Sequence, residues 1–297
     1  MRFLYVAPRY HTNQVPIIRG LKRKGHEVCF LSQYAGKVED YSDLTPTVIG
    51  YSRIFLFFDR IYVALMKNRD AYAGDRKMKC GFPPIGKLKR AIRDSHGDVA
   101  ILRERSVYSI FAYLLCKKYK IPAILYNQSP LWEDCIKKDP AHRLMRLLTP
   151  TVRMTPVMGV QDGRKVKEPG AAFVPFVMEP EQKAEEKRWI KDGITHIFSI
   201  GKYEERKNHR MLVEIVEELS AVYNIHLTIV GERTTSAHQA YYDRLAAYIA
   251  DHGLQDKVTL LVNLNRQQVA EQYRKADLFV IPSTREPASI LQLEAMA

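Results

Sequence analysis

Short apolar runs alternate with amphipathic stretches along most of the chain. Residues 2–7 read Arg-Phe-Leu-Tyr-Val-Ala, an apolar run that meets a turn at Pro8 and predicts a first strand. Residues 15–24 carry apolar positions at helical spacing and run into Gly25, which predicts a helix that stops there. Further strands are predicted at 27–31, 98–102, 123–126 and 153–158, with a helix over 106–118. The alternation pauses between Pro175 and Pro180 and then restarts. Strands are predicted at 195–200, 226–230, 257–262 and 278–281, and helices at 208–223, 237–251, 266–275 and from about Ala288. Alternation of this kind folds as open, mostly parallel α/β sheets. The pause divides the chain into expected domains 1–178 and 179–297.

One stretch breaks the pattern. Residues 54–66 place Ile54, Phe55, Leu56, Phe57, Phe58, Ile61, Tyr62, Leu65 and Met66 just before a basic segment, 67–93, that contains Pro and Gly. A helix with an aromatic, apolar face beside Lys and Arg suits a membrane interface. Packing against a core produces the same spacing, so the sequence leaves both readings open.

Composition narrows the class. A chain of 297 residues is long for one core and comfortable for two domains. With 46% apolar and 27% charged residues it has the composition of a soluble globular protein. The opening apolar run is too short for a signal-peptide core, and no window approaches the ~20 apolar residues of a spanning helix. Cys29, Cys80, Cys116 and Cys135 are scattered without paired spacing, so neither a zinc site nor a disulfide framework is expected, and a reducing cytosol fits.

Charge is unevenly placed. Residues 1–178 hold 31 Lys and Arg against 15 Asp and Glu, whereas the rest of the chain holds 15 against 18. A basic half suits an anionic acceptor or an anionic membrane surface, although a solvated basic face with no partner has the same composition. No nucleic-acid-binding motif accompanies the charge, and no nucleic-acid partner is expected.

Two segments carry candidate chemistry. In the first, Ser199-Ile200-Gly201-Lys202-Tyr203-Glu204-Glu205-Arg206-Lys207-Asn208-His209, a strand ends, cations follow and a helix opens. Lys202 and Lys207, with Arg206 between them, would stand at a strand's carboxyl end close to helix amides, an arrangement that suits a diphosphate. An ordinary charged loop has the same composition. The second segment runs from Pro282 through Glu286 to Glu294 and Ala297, again after a strand. If Glu286 lies in the loop, the amides of Ala288, Ser289 and Ile290 open the next helix as anion donors, and Glu294 stands two turns deeper. A loop carboxylate followed by a solvent-facing helix carboxylate is the alternative.

Taken in order, Gly-Lys-Tyr-Glu-Glu-Arg-Lys-Asn-His, the strand Leu227-Thr228-Ile229-Val230-Gly231-Glu232, Ala276-Asp277-Leu278-Phe279-Val280-Ile281-Pro282-Ser283 and Glu-x7-Glu-Ala-Met-Ala resemble the C-terminal domain of retaining GT-B glycosyltransferases of glycosyltransferase family 4, also called group 1. The resemblance covers about residues 195–297 and is thin before them. It implies an α/β GT-B fold: two Rossmann-like domains facing a cleft, an N-terminal one for the acceptor and a C-terminal one for the nucleotide-sugar. It further implies metal-independent transfer of a sugar from a UDP- or GDP-sugar, with no cofactor, to an acceptor that could be lipid-linked, in polysaccharide or glycoconjugate synthesis. By the same resemblance Lys202, which stands where the family usually has Arg, and Lys207 hold the donor diphosphate. Glu286 lies against the transferred sugar, Glu294 binds the ribose, and Gly231, Glu232 and Asn263 lie where the base is recognised. Lys207 and Glu286 are then the catalytic pair.

The chain also departs from the family pattern. Pro287-Ala288-Ser289 replaces the usual Gly-Phe-Gly, so the identity of the sugar does not carry over. Where the family often has Gly-Gly after the first strand, this chain has Pro8-Arg9-Tyr10-His11-Thr12-Asn13-Gln14. His11 is an acceptor-side candidate, as is Asn127 after the strand at 123–126, although a solvated loop histidine accounts equally for the first. Family members continue past Ala-Met-Ala with a strand and a helix, so the second domain is expected to be incomplete at its C-terminus. A cytoplasmic location is expected, with a peripheral position at the inner face of the membrane left open. A non-catalytic GT-B-like partner subunit and a nucleotide-sugar epimerase are the alternatives.

Overall fold

The computed structural model describes residues 1–36, 41–65, 73–104, 106–127, 140–156, 159–161, 164–166, 170–179, 187, 189–284 and 289–297. It forms two compact units, Met1–Val177 and Met178–Ala297.

The first unit runs β1 (Arg2–Ala7), α1 (Val15–Arg23), β2 (Glu27–Ser32), β3 (Thr47–Val48), α2 (Arg53–Leu65), α3 (Ala73–Cys80), α4 (Ile85–Asp94), β4 (Val99–Arg103), α5 (Val107–Lys118), β5 (Ala123–Tyr126), α6 (Pro140–Leu148), β6 (Arg153–Thr155), the antiparallel pair β7 (Gly159–Gln161) and β8 (Arg164–Val166), and β9 (Ala171–Phe173). Seven strands pair in the order β3-β2-β1-β4-β5-β6-β9, every pair parallel. The apolar run of β1 explains its central place. Leu4 and Val6 pack with Leu88 and Ile92 of α4 and Ala112 of α5, while Tyr5 and Ala7 pack with Ile18 of α1 and Phe30 on the other face. Each of the buried Leu, Val, Ile and Phe side chains contributes about 1.5–3 kcal/mol relative to exposure. Helix α1 ends as its sequence predicts, with Gly25 at φ +75° turning the chain into β2. The predicted strand at 153–158 is shorter, ending at Thr155, because Pro156 has no N–H to give to the ladder.

The second unit runs β10 (Thr195–Ile200), a 3-10 turn (Glu205–Lys207), α7 (His209–Leu219), β11 (Ile225–Gly231), α8 (Ser236–Asp251), β12 (Val258–Val262), α9 (Arg266–Lys275), β13 (Leu278–Phe279) and α10 (Ile290–Met296). Its four strands are parallel in the order β12-β11-β10-β13. Leu227 and Ile229 pack with Leu212, Val213 and Val216 of α7 and with Leu245 and Ile249 of α8. Phe198 and Val230 face the other way, toward Val269 and Tyr273 of α9. Helix α7 is shorter than the predicted 208–223. Asn208 takes the left-handed conformation (φ +54°) at the N-cap position without a side-chain cap bond, and at the far end the Ser220 hydroxyl turns back to Glu217 O at 3.1 Å.

Both sheets reverse direction once, between β1 and β4 and between β10 and β13. Such switch points, at the carboxyl ends of the strands, are where open α/β sheets bind ligands. No helix among the described residues is long and apolar enough to cross a membrane.

Candidate active site

Tyr203 fixes the loop that follows β10. The residue is fully buried, and its hydroxyl donates to Leu261 O at 2.9 Å with Ile229 O 3.2 Å away. Its ring lies on Gly231, where a Cβ would stand 2.3 Å from a ring carbon. The next contact sets the lysine. A Cβ at Gly201 would stand 2.9 Å from Lys207 Cδ, so the Lys207 stem lies flat over Gly201 and the residue is only 7% exposed. Lys202 is half-exposed, 3.8 Å from the Glu232 carboxylate, and Arg206 pairs with Glu204 at 2.8 Å.

His209, the first residue of α7, is the buried floor of this loop. Its ring meets Tyr203 edge-on at 5.8 Å, and its Nε2 lies 3.3 Å from the Lys202 carbonyl. Burial pushes its pKa down to about 4, with the Lys207 charge adding to the shift and hydrogen bonding to the Gly201 and Lys202 backbone opposing it. The imidazole therefore stays uncharged at neutral pH.

Thr284 brings the loop after β13 to the same place. Its N–H donates to Arg206 O at 3.1 Å, and its hydroxyl lies 3.4 Å from the same oxygen. The two loops at the switch point of the second sheet are thus joined. Beside the join, the hydroxyls of Ser283 and Ser199 are buried without a hydrogen-bond partner. Further on, Ser289 caps α10 by accepting from Gln292 N at 3.4 Å, and Ile290 is the first helical residue. Glu286 and Ala288, predicted for the sugar and the diphosphate, lie outside the described residues.

A cationic strand end joined to a second strand end suits an anion in charge and position. Residues 181–297 match the family model described as glycosyl transferases group 1. The match spans nearly the whole of the second unit. Mannosylfructose-phosphate synthase of Agrobacterium fabrum is 27% identical over 104 residues, which cover 34% of this chain and 23% of that protein. The lipopolysaccharide core biosynthesis mannosyltransferase LpcC of Rhizobium leguminosarum bv. viciae is 30% identical over 97 residues, 33% of this chain and 27% of its own. The chain thus covers about a quarter of the length of these two curated relatives. Among solved structures, a glycosyltransferase from Rickettsia africae matches at TM-score 0.64 and 15% identity, over 99% of this chain and 77% of its own. The trehalose-6-phosphate structure from E. coli bound with UDP-2-fluoro glucose matches at 0.65 and 13%, over 99% and 81%. At these identities the structures establish the fold, GT-B, and nothing finer.

Within the second unit the remaining predicted residues fall in two places. Gly231, Glu232 and Asn263 form one strip at the carboxyl ends of β11 and β12. Asn263 N donates to Gly231 O at 3.0 Å, and the Asn263 side chain clasps the Arg233 backbone, accepting from its N–H at 2.8 Å and donating to its carbonyl at 3.3 Å. Asn263 sits at φ +53°, a conformation asparagine tolerates. Glu232 ties the strip to the cations through Lys202. Glu294 is engaged elsewhere. The Tyr273 hydroxyl of α9 donates to it at 3.2 Å, and it lines a cavity of about 200 Å³ with Glu179, Lys187, Trp189 and Arg274. Burial and the Glu294 charge both raise the Tyr273 pKa.

The Tyr203–Gly231 contact was not visible in the motif, and it makes a sharp test. Gly231→Ala is expected to cost about 1–3 kcal/mol or more, because neither the strand backbone nor a ring held by its hydroxyl can retreat. Gly86→Ala in α4, where a Cβ meets nothing within 4 Å, should be neutral or stabilising. Thermal unfolding of both variants checks this, and equal melting temperatures would refute the packing role of Gly231.

The first unit holds the acceptor-side candidates. His11 sits in the turn after β1, where its Nδ1 accepts from Asn13 N at 3.4 Å and its N–H donates to Gln14 Oε1 at 2.9 Å. Sequence reasoning missed Asn13 beside it, whose side-chain amide is buried with neither polar atom hydrogen-bonded. Asn127 is buried at the end of β5 and donates to Glu104 Oε2 at 3.1 Å. Glu104 in turn accepts from Arg153 Nε at 2.8 Å, and the same guanidinium donates to Thr149 and Thr151. The structure thus places Asn127 in a buried polar network at the strand ends.

Proposed function

We propose that this chain belongs to a retaining glycosyltransferase that moves a sugar from a UDP- or GDP-sugar to a sugar or lipid-linked acceptor in polysaccharide or glycoconjugate synthesis. The observation that carries the reading is the Thr284–Arg206 join, which puts the cation-bearing loop of β10 beside the loop that leads to Glu286. In this reading Lys202, Arg206 and Lys207 hold the diphosphate together with the amides of Ala288, Ser289 and Ile290. Glu286 lies against the transferred sugar, Gly231, Glu232 and Asn263 meet the base, and Glu294 gives up the Tyr273 hydroxyl to bind the ribose. The first unit takes the acceptor, with His11 and Asn127 near it.

The chemistry follows from charge. As the bond from the sugar carbon to the diphosphate oxygen breaks, negative charge grows on the leaving group. Lysine ammonium groups already in place stabilise that charge without reorganising, so the reaction needs no metal. Front-face attack by the acceptor, on the side the diphosphate leaves, retains the configuration of the sugar carbon. Such a protein works at the cytoplasmic side of a membrane, where nucleotide-sugars meet lipid-linked acceptors.

A thermal-shift screen of nucleotide-sugars tests the donor. One UDP- or GDP-sugar is expected to stabilise the chain by about 2.7 kcal/mol at a concentration of 100 Kd, which is several degrees of melting temperature. No shift with any UDP- or GDP-sugar at millimolar concentration would remove the assignment.

A further inference from the structure

Helix α2 is turned the wrong way for a soluble protein. Ile54, Phe57, Phe58, Ile61, Tyr62 and Leu65 are between 42% and 78% exposed, and the one residue of the helix that is buried is Asp59. Positions 54, 57, 58, 61 and 65 recur at i, i+3, i+4, i+7 and i+11, which puts five of the six on one face, with Tyr62 at its edge. Core packing would have required this face to be the hidden one.

An ionic contact holds the helix in that orientation. Asp59 points toward α3, where the Arg76 guanidinium lies 2.6 Å from its Oδ1 and Lys77 Nζ lies 3.4 Å from its Oδ2. The Arg76 contact is a close charge pairing and not an aligned hydrogen bond, since Oδ1 has no hydrogen-bond partner. Arg76 also lies over the Tyr62 ring at 4.1 Å. Rolling α2 to hide its phenylalanines would carry Asp59 away from both cations into water and uncover two half-buried positive charges. The sequence gives the apolar spacing; the Asp59 contact decides which way it faces.

The surroundings identify what the face meets. Arg53 and Arg60 are exposed together on one flank of the same helix, and Lys87, Lys89, Arg90 and Arg93 are exposed on α4. In the loop before α4, Phe82 accepts through its carbonyl from Ser52 N, just ahead of α2, at 2.8 Å. Residues 53–93 hold eleven Lys and Arg against three Asp and Glu. An apolar face with positive charge along one flank, in a basic segment, matches a surface that is apolar within and negative at its rim. We propose that α2 is a membrane-docking element that lies in the plane of an anionic lipid surface, its phenylalanines and leucine among the acyl chains and its arginines at the headgroups. The inference stands on the first unit alone and does not depend on the donor assignment.

Flotation of the full chain tests it directly. Vesicles of phosphatidylcholine and phosphatidylglycerol in equal parts are expected to carry the protein up a density gradient, and pure phosphatidylcholine at least about tenfold less of it. Phe57→Ser/Phe58→Ser should lower partition to the mixed vesicles by about tenfold or more, and Arg53→Glu/Arg60→Glu by a similar factor. Both pairs are solvent-exposed, so the melting temperature should hold. The proposal fails if wild type ignores lipid, partitions equally to both vesicle types, or is matched by the Phe57/Phe58 variant. It fails also if that variant turns a dimer into a monomer on size exclusion while lipid binding is absent, because the face then belongs to a second copy. Nucleotide-sugar binding, measured on the same samples, reports on the donor site separately.

Discussion

Lys207→Met is expected to lower sugar transfer on the order of a hundredfold or more, with little change in melting temperature. Methionine keeps an unbranched stem of similar length, so the packing over Gly201 survives while the charge is lost. The donor affinity should fall with the turnover, because the same ammonium meets the diphosphate in the ground state as the bond begins to break. Lys207→Ala should cost as much activity and some stability besides, since it also empties a buried site. Calorimetry with the UDP- or GDP-sugar that the thermal-shift screen selects, together with turnover in the full chain, separates these effects. Equal donor affinity in wild type and Lys207→Met would remove Lys207 from the diphosphate. Lys202 is half-exposed and paired with Glu232, so its loss should matter less.

Glu104→Ala is expected to destabilise the first unit by about 3–5 kcal/mol. Arg153 and Glu104 are both buried, and removal of the carboxylate strands a guanidinium that water cannot reach. For a unit of this size the loss is on the order of 10 °C in melting temperature. A paired replacement, Glu104→Met with Arg153→Leu, should recover most of it, because burying neither charge costs less than burying one. Differential scanning calorimetry distinguishes the outcomes. A loss below about 1 kcal/mol in Glu104→Ala would show that the network is solvated in solution. Asn127 adds a discriminating detail. Since its amide already donates to Glu104, Asn127→Ala should lower stability as well as any acceptor affinity.

Much of the local structure was legible in the residues themselves. The strand at the N-terminus could be read because a parallel strand covered on both faces must be apolar throughout, and β1 is buried from Leu4 to Ala7. The stop of α1 could be read because Gly25 adopts a backbone conformation that residues with side chains avoid. The cations of the β10 loop could be placed at a strand end because the run Thr195–Ile200 and the helix after it both declare themselves locally. Ends were read less well: β6 stops before Pro156, α7 stops at Leu219 and not at 223, and β13 stops at Phe279 and not at 281, while the helices at Ile85–Asp94 and Pro140–Leu148 were not foreseen.

What the chain could not reveal on its own is which residues meet. Gly231 is a glycine because of Tyr203, far behind it in sequence, and no spacing rule connects the two. Glu104 and Arg153 are 49 positions apart, and each alone reads as an ordinary charged residue at a strand end. The apolar positions of α2 were plain, but their direction was set by Asp59 against Arg76 and Lys77 on another helix. Periodicity is a property of neighbours along the backbone, and it determined the elements and the class of fold. Contact between distant side chains is settled only when the sheets close and water is excluded, and that step decided the loop anchored by Tyr203, the buried ion pair and the outward face of α2.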